Sequence, residues 1–252
     1  MKNQIISILF FLTINLYKAS QNHLRVKTTC DYTYLNNTNI TTSSQQNLNI
    51  LGSAAVYAVL AGSTTTNAGA TTIVGSLGVS PSTAIAGTAV LLIGGSFHAG
   101  DPHALLAQGN LTYAYNLLAG LAKGTDLTGT DLVGLVLYPG HYGYTSSAFL
   151  SAGILTLNAN GNATAEWVFQ IGSTLITSVG AQVIVIGGGS PLNVYWQVGS
   201  SATISQNTKM VGNIIAFTSI SFGMNATLNG RALARNGAVT MLSNVIASVP
   251  CK

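Results

Sequence analysis

The sequence predicts a mainly β fold: a solenoid of short strands, triangular in cross-section, covered on one side by a single long helix. Four segments carry the prediction: Thr174-Leu175-Ile176-Thr177, Ser201-Ala202-Thr203-Ile204, Ser219-Ile220-Ser221-Phe222 and Ala238-Val239-Thr240-Met241. Each alternates small or polar residues with apolar ones, so one set points inward and the other outward along a strand. Their starts lie roughly 20 residues apart with no helix between them, as in a stacked repeat. Further strand-like runs intervene, Val183–Ile186, Val194–Val198 and Asn213–Phe217 among them, which gives three per coil. By contrast, Pro102 to about Ala122 has a helical pattern.

Composition sets outer bounds. Of 252 residues, 6% are charged and 48% hydrophobic, which excludes a largely disordered chain. The formal charge is +4, with no cluster of Lys or Arg, so nucleic acid is not an expected partner. No cofactor is expected. Val185-Ile186-Gly187-Gly188-Gly189 lacks the full glycine fingerprint of a nucleotide site, and Pro191 leads into another strand. A coil corner is the simpler reading.

In chain order, residues 1–20 read as a secretory signal, with Lys2 before the short apolar run Ile5–Leu16. An uncleaved anchor is the alternative; the mature form is expected to be extracellular and free of the membrane. Residues 21–49 form an Asn/Thr-rich extension, and 50–252 form the folded domain. N-glycosylation sequons start at Asn36, Asn39, Asn110, Asn162 and Asn225. Val56–Leu60 and Thr71–Val79 read as strands, with Gly62, Gly69, Gly75 and Gly78 at corners. Ala84 to Gly100 lacks clean periodicity and reads as a loop or cap. Asp101-Pro102 supplies an N-cap followed by proline at the first helical position. The helix is expected to run to about Ala122, stop at Gly124, and bury Leu105, Leu117 and Leu121 against the solenoid. Thr125 to Gly134 reads as a polar loop.

Four stretches resemble signatures of the widespread microbial ice-binding proteins: Gly75–Pro81 (GSLGVSP), Trp167–Ile171 (WVFQI), Tyr195–Ala202 (YWQVGSSA) and Leu228–Ala234 (LNGRALA). The resemblance covers roughly residues 50 to 247. It implies a right-handed parallel β-helix with a long α-helix along one side, and a first coil that neighbours the C-terminal coils. It also implies a secreted, monomeric, non-enzymatic antifreeze protein whose partner is the ice crystal surface.

The alternation nominates the contact face: Thr64 and Thr66, Thr145 and Ser147, Thr174 and Ile176, Ser201 and Thr203, Ser219 and Ser221, Ala238 and Thr240. Threonine suits a periodic, uncharged ligand, because its χ1 is stiff and it offers a methyl beside a hydroxyl. Ile176 and Ala238 interrupt the ladder. A rougher rival face holds Thr72 and Val74, Gln182 and Ile184, Lys209 and Val211, Thr227 and Asn229. The alternative functions are an adhesin or carbohydrate-binding module on the same scaffold, and a degenerate polysaccharide-active enzyme.

Other signals are weaker. His98, Asp101 and His103 contain metal-ligating types, but no second ligand cluster accompanies them, so no metal is expected. Asp101, Asp126, Asp131 and Glu166 are far apart in sequence, which argues against paired-carboxylate catalysis. Trp167 and Trp196 lie in apolar runs and are expected in the core. Cys30 and Cys251 are the only cysteines and are a candidate disulfide, with two unpaired thiols as the alternative.

Overall fold

A computed structural model describes residues 50–87 and 89–248. The leader, the extension, the sequons at Asn36 and Asn39, Cys30 and Cys251 lie outside the described residues. The described chain is a parallel β-helix: each coil contributes strands to three ladders, and all inter-strand pairings are parallel.

The first ladder lies beside the helix. From one end it stacks Thr125–Asp126, Gly140–Tyr144, Trp167–Ile171, Val194–Val198 and the second halves of Lys209–Ala216 and Thr227–Ala234. Tyr57–Ala61, Ser76–Val79 and Phe97–Ala99 complete it. Both faces of its central strands are buried, which explains their unbroken apolar runs. The second ladder has seven strands: Ala148–Leu150, Leu175–Thr177, Ala202–Ile204, Ile220–Phe222, Val239–Leu242, Thr64–Ala68 and Ala84–Gly87. The third runs from Val136–Leu137 through Ile154–Asn158, Gln182–Ile186, Lys209, Thr227, Val245–Ala247 and Thr71–Val74 to Val90–Ile93.

Spatial order departs from chain order. Val59 pairs with Ala232, Thr65 with Val239 and Ile73 with Ile246, so the first coil sits directly on the last. The chain then climbs to Phe97–Ala99 and returns along the side as helix α1, Pro102–Ala119, about 27 Å long at 1.5 Å per residue. Residues expected to form a loop or cap, Ala84 to Gly100, instead supply a full terminal coil with strands at 84–87, 90–93 and 97–99. Their pattern was obscure because an end coil is mostly exposed on both faces. Thr125–Asp126, expected in a loop, pair with Tyr142–Gly143.

Asp101 caps α1 as expected: its carboxylate accepts from the Ala104 N–H at 2.8 Å. The buried face differs from the expectation. Ala104, Ala107, Leu111, Ala114 and Leu118 face the solenoid, while Leu105, Leu106 and Tyr113 stand more than half exposed and Leu117 is also exposed. Small residues win because the ladder already presents Tyr57, Val168, Tyr195, Ile215 and Leu233, and alanines let the helix axis approach them. Of the three expected anchors only Leu121 packs here, beyond the helix end. The helix stops at Gly120, earlier than Gly124, because buried Gln170 takes over its end. Gln170 Nε2 donates to the carbonyls of Leu118 at 2.9 Å and Leu121 at 3.0 Å.

Inside the prism, Tyr142, Phe169 and Trp196 stack in successive coils, the last two at 4.0 Å between centroids. Trp167 and Trp196 are fully buried, and their indole N–H groups donate to Leu137 O and Val211 O. The corner between the second and third ladders is a column of left-handed residues: Gly180, Asn207, Asn225, Ser243, Gly69 and Ala89. Gly78, expected at a corner, lies instead within a strand, where a Cβ would meet the Tyr57 ring at 2.5 Å.

The helix orientation predicts two unequal truncations. Leu111→Ala should cost about 2–5 kcal/mol of stability in urea unfolding, and Leu105→Ala less than about 0.5 kcal/mol. The reverse ranking would place the other face of α1 against the solenoid.

Candidate functional site

The strands of the second ladder from Ala148–Leu150 to Thr64–Ala68 alternate between an inward and an outward side chain. Ala148, Leu175, Ala202, Ile220, Val239 and Thr65 point inward and are buried. The residues on either side of each form two outward columns. Strands in such a ladder lie about 4.7–4.9 Å apart, and alternate residues along one strand about 6.6–6.8 Å apart.

Ten of the twelve nominated residues form five matched rungs: Thr174 and Ile176, Ser201 and Thr203, Ser219 and Ser221, Ala238 and Thr240, Thr64 and Thr66. The remaining pair, Thr145 and Ser147, is displaced by one pleat. Ser147 and Phe149 make the rung beside Thr174 and Ile176, since Ala148 pairs with Leu175. Thr145 lies before the strand, at the corner, where its N–H donates to Thr128 Oγ1 at 2.9 Å. Its parity is correct, but the strand begins later than the hydroxyl pattern implied. The other end of the columns holds Ala84 and Ala86, paired with Thr64 and Thr66. Sequence reasoning missed these two because that coil reads as featureless, and missed Phe149 because it is not hydroxylated.

The two columns differ in what their hydroxyls do. In the corner column, Ser201 Oγ accepts from the Ser219 N–H at 3.3 Å, and Ser219 Oγ accepts from the Ala238 N–H at 3.1 Å. Thr64 Oγ1 donates to Ala84 O at 3.0 Å, and Ser147 and Thr174 pair their hydroxyls at 2.7 Å. In the central column, Thr66 and Thr240 pair at 3.2 Å, and among the described residues no hydrogen bond engages the hydroxyls of Thr203 or Ser221. One column is bound into the scaffold; the other is turned outward. No charged side chain stands on any of these rungs.

The rival face is mixed. Gln182, Lys209, Thr227, Val245 and Thr72 form one outward column, while Ile184, Val211, Asn229, Ala247 and Val74 belong to its neighbour. Lys209 stands exposed in the middle of it.

The carboxylates do not converge. The Ala104 N–H and then His98 hold Asp101 below the usual carboxylate range, and Thr128 does the same for Asp126. Burial opposes ionisation of Asp131, but hydrogen bonds from Ser151 and Val133 outweigh it and lower its pKa. Glu166 is raised by burial, with His141 opposing. Among the described residues no group of three His, Cys, Asp or Glu could hold a metal ion. Arg231 is buried and structural: its Nε donates to Ala55 O at 2.8 Å and its Nη1 to Asn213 Oδ1 at 2.9 Å. No described helix is long and apolar enough to cross a membrane.

The profile of the Ice-binding-like family matches residues 59–247. The chain belongs to that family. An ice-binding protein from Nostoc sp. (strain HG1) is 44% identical over 209 residues, covering 82% of this chain and 77% of that protein. The crystal structure of an ice-binding protein from an Antarctic biological consortium superposes with a TM-score of 0.76 at 43% identity, over 87% of this chain and 96% of the other. An ice-binding protein from the Antarctic ascomycete Antarctomyces psychrotrophicus gives 0.75 at 34%, over 79% and 97%.

Two outcomes follow from the site. Thr65 is 1% exposed, and its hydroxyl has no hydrogen bond among the described residues. Thr65→Val should therefore raise stability by about 1 kcal/mol, measured by thermal unfolding, with the outward columns undisturbed. The second concerns pH. Asp101, Asp126 and Asp131 have depressed values, so the stability they contribute is present above about pH 4 and is lost as pH falls through their folded values. Glu166, raised by burial, opposes this on acidification. No titratable group lies on the rungs, so ice recrystallisation inhibition by a protein that contacts ice through them should stay flat between about pH 5 and 9.

Proposed function

We propose that this protein is a secreted, monomeric antifreeze protein that adsorbs to ice through the outward columns of the second ladder. The observation that supports this best is a seven-rung sheet face, free of charge, whose central column carries Thr203, Ser221, Thr240 and Thr66 in register.

Ice offers a receptor neither charge nor a distinctive functional group; its difference from liquid water is periodicity. A receptor for it must be flat, rigid and regular before contact. The backbone ladder supplies the repeat in one direction and the pleat supplies it in the other. Threonine methyls exclude disordered water, while outward hydroxyls anchor water in ordered positions. The stiffness of threonine χ1 lowers the entropy lost on adsorption. Each contact is weak, and many act together on one crystal, so a bound molecule stays long enough to pin the growing front. The front then curves between molecules, and further growth and recrystallisation slow. No bond is made or broken, so the reading requires neither a catalytic group nor a cofactor.

Bulk placed on a rung should destroy flatness without disturbing the core. Thr203→Tyr and Thr240→Tyr should each lose most of the thermal hysteresis of the purified protein, while Gln182→Tyr on the third ladder should keep it. Full activity in both threonine variants, with loss in Gln182→Tyr, would move the contact to the third ladder. Absence of ice shaping by the unmodified protein would overturn the reading altogether.

A further inference from the structure

We propose that Asn162 is an N-glycosylation site, and that the fold presents it on the side of the prism away from the hydroxyl columns. The inference rests on the secretion proposed above. Three sequons fall within the described residues, and the fold treats them differently. Asn110 lies within α1, half-buried, and its Nδ2 donates to Ser53 Oγ at 2.6 Å. Its acceptor tripeptide is helical, and Leu111 is fully buried in the helix interface. Asn225 sits in the left-handed corner, next to Ala226, which is fully buried, and Thr227, which is a rung of the third ladder. Neither tripeptide is free to enter a transferase groove without unfolding part of α1 or of a coil.

Asn162-Ala163-Thr164 is presented in the opposite manner. All three residues are exposed, in the turn between Ile154–Asn158 and Trp167–Ile171. Asn162 Oδ1 accepts from both the Thr164 N–H at 2.9 Å and the Thr164 hydroxyl at 2.8 Å. That pair of bonds fixes the amide oxygen toward the threonine and leaves Nδ2 directed away from it, with no hydrogen bond among the described residues. The hydroxyl that defines the sequon is therefore already held against the amide that is to be modified. The turn joins the third ladder to the helix-side ladder, so it is the corner of the triangle opposite the second ladder. A glycan there projects away from the rungs.

The transfer joins Asn162 Nδ2 to the anomeric carbon of an oligosaccharide carried on a lipid pyrophosphate. The anomeric C–O bond breaks, the lipid pyrophosphate leaves with the electron pair, and one amide proton is released.

The test expresses the full chain in a yeast secretory host, once with its own residues 1–20 and once with a host leader in their place. Secreted protein is treated with a glycan-releasing amidase in heavy-oxygen water, and the labelled aspartate is located by peptide mass. Label at position 162 is expected, lost in Asn162→Gln and Thr164→Ala and retained in Thr164→Ser. Recrystallisation inhibition should be the same with and without the glycan. An unmodified Asn162 peptide in protein secreted by the host leader would overturn the site. Failure of secretion with the native leader alone would instead overturn the proposed localisation, and absent ice activity in a glycosylated product would overturn only the function.

Discussion

The register lock between the first coil and the last carries the rest of this structure. Thr65 to Ala68 pair with Val239 to Leu242, and through that strand pairing two stretches of coils distant in sequence become a single ladder. Without it the outward columns would end at Ala238 and Thr240, and the rungs at Thr64/Thr66 and Ala84/Ala86 would belong to another sheet. The lock is held from several directions. Arg231 ties the last coil to Ala55 at the start of the domain, Gln108 of α1 donates to Ala234 O at 3.2 Å, and Asn110 holds Ser53. Arg235 closes the same level from the outside, its guanidinium 4.8 Å from the Tyr115 ring and 5.3 Å from Phe217.

Those contacts explain why α1 must exist. A chain that begins in the middle of a stack and climbs to one end has to be carried to the other end before it can wind back. A helix does this with its backbone polar groups satisfied internally, so it can lie on an apolar ladder at no hydrogen-bonding cost. Its two ends are then satisfied by the fold: Asp101 at one, buried Gln170 at the other. Corners need a similar solution in every coil. The left-handed column solves one of them by repeating the same backbone turn, so each corner bonds the next: Asn207 N–H to Met224 O, Asn225 N–H to Leu242 O, Ser243 N–H to Ala68 O. Repetition of one turn brings every coil into the adjoining ladder in the same register.

Much of this was legible in the residues where burial is one-sided. Strands of the second ladder alternate because one face meets the core and the other meets solvent, and their register could be read from Leu175, Ala202, Ile220 and Val239 alone. Legibility failed where that asymmetry fails. The terminal coil at 84–99 is exposed nearly all round, so its strands resemble a loop. Helix α1 carries apolar residues on both sides, and the expected stripe placed Leu105 and Leu117 inward; the deciding constraint was the space left by side chains of a ladder remote in sequence. The Gln170 cap is equally invisible, since a glutamine in an apolar strand reads as a departure from pattern until the helix end above it is known. The Thr145 error is smaller in kind: parity was right, and only the point where the corner becomes strand was misplaced.

The two columns of the second ladder argue for a division of labour within one face. Hydroxyls of Ser201 and Ser219 take backbone N–H groups from the next coil, so they help set the spacing between coils and are less free to organise water. Ala238 then fits that column without loss, because its own N–H is the donor and the side chain has no further bond to make. A substitution that looks like a gap in a threonine ladder is, in this register, the end of a chain of backbone contacts. Ile176 and Phe149 are different, since they lie in the central column where hydroxyls are otherwise turned outward. They shorten the hydroxylated stretch to Thr203, Ser221, Thr240 and Thr66 and leave an apolar margin beside it. On the proposed contact, the working length of the face is set by the central column, and the corner column sets how rigidly that length is held.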